Sequence, residues 1–182
     1  MVLMGTGIFA LFEQQNQIPQ DFIQARSQGA AIAANIVSIS NQSVASLAQV
    51  NKLDQEGKYT DALTMTTDLV TQSQTLRDQA ILLSTQIGTM TKALAKVNSF
   101  EAQQAAFQSI ASQLAIITQL VNYSNDLDKL LLTLQSHFSN KTWNPDDVTG
   151  LVNQINLDVT AINSFNSQAS QAMARFDKIV GK

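Results

Sequence analysis

The 182-residue chain contains no cysteine, which excludes disulfides, thiolate metal sites and thiol nucleophiles. It has one histidine, His137, and three glutamates, Glu13, Glu56 and Glu101. A carboxylate–histidine metal site in a helical bundle needs Glu-x-x-His pairs on facing helices, and no such pair is present. No glycine-rich phosphate loop, nucleophile elbow or Ser/His/Asp ordering occurs either. These absences imply no cofactor and a protein that is not an enzyme.

Charge is scarce as well. Charged residues make up 14% of the chain, against about 25% in an ordinary soluble domain. The net charge is −3 and there is no run of Lys or Arg, so nucleic acid is a poor partner. Neutral Gln, Asn, Ser and Thr fill the polar positions. The resulting surface carries a weak field and steers charged partners little. With two prolines and seven glycines, helix breakers are few enough to permit long helices.

Apolar periodicity is abundant. Ala62, Thr66, Leu69, Ser73, Leu76, Ala80, Leu83, Ile87, Met90, Leu94 and Val97 follow one another at alternating steps of four and three. That is the a/d seam of a helix packing lengthwise against others, as in a coiled coil. Four such helices are expected, over residues 20–52, 59–97, 99–138 and 145–180. The first directs Phe22, Ala33, Ile36, Val44 and Leu47 inward. The third carries Phe107, Ile110, Leu114, Ile117, Val121, Leu127, Leu131, Leu134 and Phe138, with a three-residue phase jump between Ser124 and Leu127. The fourth opens on Pro145 with Asp146 and Asp147 in its first turn. Asn98 and Glu101 read as a capping pair ahead of the third. Short connections force antiparallel neighbours, so the expected fold is an all-α, up-down-up-down four-helix bundle over residues 20–182.

An apolar, uncharged stretch, residues 1–12, precedes it and includes Phe9 and Phe12. A polar linker, residues 13–19, joins the two. A spanning helix needs about 20 apolar residues, so this segment is expected to be an anchor remnant, an assembly segment or a cap folded back on the bundle. The absence of flanking positive charge favours export of the bundle.

In such a bundle both chain ends lie at one pole, the base, and the loops near Gly57 and Trp143 at the other, the tip. Tyr59, His137, Trp143, Asp146 and Asp147 form a candidate partner-contact tip, since Trp and Tyr concentrate at binding hot spots. Phe9, Phe12, Lys92, Lys96, Arg175 and Lys178 form a candidate membrane-proximal base. Helix-dipole complementation is a competing reason for the basic residues there.

The expected function is a non-enzymatic, membrane-anchored or cell-surface helical bundle. It acts as a structural or interaction module, with a protein partner or self-association and membrane contact through residues 1–12. The alternatives are an extracytoplasmic ligand-sensing domain, with a small molecule held between helices, and a soluble cytosolic adaptor.

Overall fold

A computed structural model describes residues 18–138 and 145–181. They form four long helices: α1 (Gln20–Gln55), α2 (Tyr59–Leu94), α3 (Phe100–Phe138) and α4 (Pro145–Val180). Cross-helix contacts fix their directions. Ser43 of α1 meets Gln72 of α2, and Ser73 of α2 meets Ser124 of α3. Arg175 of α4 reaches Gln108 of α3, while Arg26 and Asn41 of α1 meet Asp177 and Asn163 of α4. Between α1 and α4 one number rises as the other falls. The same holds between α1 and α2, where Gly29 lies against Gln86 and Ser43 meets Gln72. It holds too between α2 and α3, where Leu94 meets Gln103 and Ser73 meets Ser124, so the bundle runs up-down-up-down.

The turns explain the helix ends. Gly57 sits at φ 70°, a conformation glycine adopts without a Cβ penalty. Its N–H donates to Asp54 O at 2.9 Å and the Lys58 N–H to Leu53 O at 2.9 Å. These two bonds form a Schellman stop, and they carry α1 to Gln55, three residues beyond the end expected from sequence. At the other pole α2 ends at Leu94 rather than 97, although Val97 remains buried. The capping pair expected at Asn98 and Glu101 is displaced by one residue. Ser99 Oγ accepts the Ala102 N–H at 3.2 Å, and the Gln103 amide folds back to donate to Val97 O at 2.6 Å.

Every seam residue read in α2 is buried. In α3 the expected inward face is wrong over its first half. Phe107, Leu114 and Val121 are exposed. Ile110 and Leu131 are buried as expected, but the central buried row runs through Ala102, Ala106, Ser109, Gln113, Ile116, Leu120, Tyr123, Leu127, Leu130 and Leu134. Those steps alternate four and three without interruption, so the phase jump does not exist. It arises from following the outer apolar stripe and then crossing to the core.

Phe22 and Phe176, with ring centroids 5.0 Å apart, close the base of the core. Gly29 lets α1 sit close to its neighbours: a Cβ there would lie 3.6 Å from Gln113 Oε1 and 3.7 Å from Leu83 Cδ1. Among neighbouring helices, contact is densest between α3 and α4 and sparsest between α1 and α4, which leaves the α1–α4 seam grooved.

Candidate interaction surfaces

At the tip, helix termini bring Tyr59, His137 and Phe138 together. The Tyr59 and His137 rings meet edge to face at 5.8 Å, and Phe138 lies 5.2 Å from His137 and 6.0 Å from Tyr59. His137 Nε2 is 2.6 Å from Asp54 Oδ1, which ties α3 to the end of α1. Two of the residues chosen from sequence therefore do meet, but within a structural knot in which only Tyr59 stays substantially exposed. Asp146 and Asp147 lie exposed in the first turn of α4. Trp143 falls outside the described residues. In the same turn region the Lys58 ammonium, bonded to Glu56, holds that carboxyl below its usual range, and Glu56 holds Lys58 above its own.

At the base, Lys92, Lys96 and Lys178 are exposed. Arg175 is committed to Gln108, donating to its Oε1 at 2.6 Å. Arg26 and Asp177 form a two-pronged ion pair that clamps α1 to α4, and sequence reading did not foresee this pair. Phe9 and Phe12 fall outside the described residues. No described helix is long and apolar enough to cross a membrane.

Two grooves follow the α1–α4 seam. One of about 450 Å³ occupies the tip half, with Leu47, Val50, Leu134 and Val152 on its walls and Asn51, Asp54 and Asn153 at its edge. The other, about 320 Å³, lies nearer the base between Arg26, Ala33, Met173 and Asp177. Ser109 and Gln113 line it, and their Oγ and Oε1 atoms are buried without a hydrogen-bond partner. One ordered water fits such a polar recess.

A polar layer crosses the middle of the core. Ser43 Oγ donates to Gln72 Oε1 at 2.7 Å, and the Ser73 and Ser124 hydroxyls are 2.8 Å apart. Beside them the Tyr123 phenol and the Asp158 carboxyl are both buried. Burial pushes the Tyr123 phenol up to about 12; the Ser43 hydroxyl, close by but outside hydrogen-bond geometry with its proton given to Gln72, pulls it back only in part, and the Asp158 charge adds to the rise. Burial also raises Asp158, against the bond it accepts from Gln154 Nε2 at 3.2 Å. Tyr123 OH and Asp158 Oδ2 have no hydrogen-bond partner.

A regular apolar stripe lies on the outside of α3. Phe100, Phe107, Leu114 and Val121 recur every seventh residue, and Gln104, Ala111, Thr118 and Asn125 fall between them. All eight are exposed. Together they form a second four-three seam, directed away from the core. Ile81 of α2 flanks it beside Val121, across a shallow apolar groove. Sequence reading missed this surface because hydropathy alone assigns phenylalanine and leucine to the interior. The available signal was the less apolar phase, 102–106–109–113–116, which runs on into Leu120, Leu127 and Leu134 unbroken.

Comparison with protein-family models, curated proteins and solved structures returns no match. The class defined by the fold is an all-α four-helix bundle.

Proposed function

We propose that this chain is a non-enzymatic helical-bundle protein that works by contact, as a structural or interaction module at a membrane or cell surface. The outward seam of α3 is the observation that carries the reading. Isolated exposed apolar residues are normal, but a contiguous stripe of large ones costs solubility unless something covers it. The surface around it is neutral, which suits packing over electrostatic capture. Residues 1–12 supply the surface setting: they are apolar and uncharged, and the chain enters α1 from the base, near Lys92, Lys96 and Lys178.

Co-sedimentation with lipid vesicles tests the setting, comparing the full chain with one beginning at Gln17 after both are shown to be helical. The full chain is expected to pellet with vesicles, and the shortened chain to stay in the supernatant. Equal behaviour of the two would overturn the membrane role of residues 1–12 and favour the soluble adaptor.

The tip-half groove between α1 and α4 favours a second reading, the ligand-sensing domain. Its volume of about 450 Å³ falls within the range of small-molecule sites. Its Asn51, Asp54 and Asn153 rim suits a small polar ligand. A ligand that raises the melting temperature in the wild type and fails to do so in Val152→Trp, which fills the groove, supports that reading.

A further inference from the structure

We infer that the outer seam of α3 pairs with the same seam of a second copy, in parallel and in register, so that two bundles stand side by side with their bases at one pole. The inference deepens the contact-module reading and rests on it.

Periodicity is the first support. Phe100, Phe107, Leu114 and Val121 occupy one heptad position, with Gln104, Ala111, Thr118 and Asn125 at the other. This is a two-stranded coiled-coil pattern on a helix whose opposite face already fills the bundle core. The seam from 100 to 125 is about 38 Å long at 1.5 Å per residue. A strict seven-residue repeat drifts about 20° per heptad around a straight helix. The stripe accordingly winds toward α2, where Ile81 extends it.

Charge is the second. In-register pairing sets each residue against its own copy, so any charge on the seam would face a like charge. No charged residue lies between Glu101 and Asp126. The polar members are instead Gln104, Thr118 and Asn125, each able both to donate to and to accept from its copy. A neutral amide at a seam position is also a known device for fixing register and strand number.

Area is the third. Phe100 is 77% exposed, Phe107 51%, Leu114 49%, Val121 53% and Ile81 66%. Taking roughly 150–200 Å² per side chain, these five present on the order of 500 Å² of apolar surface. A stable interface takes about 800 Å² from each partner, and the exposed Gln104, Ala111, Thr118 and Asn125 add to the apolar area. The parallel sense comes from the anchoring reading. The stripe begins at the base, so an antiparallel partner would drive its tip through the surface that holds residues 1–12.

The cysteine-free chain allows a direct test. Gln104→Cys and Thr118→Cys are made separately in the full chain and treated with a short bis-maleimide in mild detergent. Each is expected to cross-link to itself, and Asn35→Cys, exposed on α1, is expected to remain uncross-linked. In the Gln104→Cys background, Leu114→Lys is expected to abolish the dimer band. Its helical content should be unchanged, because Leu114 lies outside the core, and its melting temperature should fall only to that of the diluted, monomeric parent. Cross-linking only when Gln104→Cys and Thr118→Cys are mixed would overturn the parallel register, since antiparallel pairing separates the two Gln104 copies by roughly 21 Å. No cross-linking in any combination would overturn self-pairing altogether. If that occurs while the full chain still pellets with vesicles, self-pairing fails and the membrane-surface reading survives. Self-cross-linking without vesicle binding has the opposite meaning: the dimer stands and the membrane-surface reading fails.

Discussion

Replacing Tyr123 with phenylalanine tests the polar layer, with separate readouts at two pH values. The phenol is fully buried and its oxygen has no hydrogen-bond partner. Leaving a buried polar group unsatisfied costs about 1–3 kcal/mol. Deleting the hydroxyl while keeping the ring should therefore stabilise the protein at pH 7 by about 1 kcal/mol, or about 2–4 °C in Tm for a chain of this length. The second readout comes from burial, which pushes the phenol from 10.0 to about 12. Below pH 10 both states hold the proton and the shift contributes nothing. Between pH 10 and 12 the unfolded chain releases it while the folded chain retains it, so stability falls as pH rises. Two units at 1.36 kcal/mol each come to about 2.7 kcal/mol in full, most of it lost by pH 12. Phenylalanine abolishes that loss. Denaturant unfolding of both proteins from pH 7 to 12 should show a gap that favours the variant and widens above pH 10. A variant less stable at pH 7, or a constant gap, would refute the account of the phenol as buried and unsatisfied.

Asp158→Asn should raise the melting temperature at pH 7. Burial raises this carboxyl, so its folded form favours the proton and its ionised form lowers stability as pH rises through the acid range; the advantage of asparagine should therefore vanish in melts near pH 3. Gly29→Ala should stabilise by about 0.5–1 kcal/mol, the cost of a mid-helix glycine relative to alanine. The added Cβ would meet its neighbours at 3.6–3.7 Å, an ordinary contact distance. Gly29→Leu has no room in that contact and should lower Tm.

The bundle was legible because its seams are written in periodicity, and periodicity survives without knowledge of any neighbour. Thr66 and Ser73 could be placed inside α2 by phase alone, despite their polarity. The same rule applied to α3 would have placed Ser109 and Gln113 inside and Phe107 and Leu114 outside. Hydropathy overrode phase there and hid the outer seam. Pairings such as Arg26 with Asp177 depend on the rotation of one helix about another, which a single chain's pattern does not encode. The meeting of Tyr59 with His137 could be anticipated, since short loops force those helix ends together. The Asp54 bond that fixes His137 could not, because α1 runs one turn farther than its pattern suggested.

Long helices zipped by regular seams have a weakness: sliding one helix by a heptad preserves most apolar contacts. Small residues such as Ala25, Ala33, Ala80 and Ala106 make that slip easier, since they interlock little. The layer of Ser43, Gln72, Ser73, Tyr123, Ser124 and Asp158 discriminates among the alignments. Displaced by a heptad, the paired members Ser43, Gln72, Ser73 and Ser124 would be dehydrated against hydrocarbon instead of facing another polar group, at about 1–3 kcal/mol apiece. The strip that stabilises the folded rod least is thus the vernier that sets its four scales to a single reading.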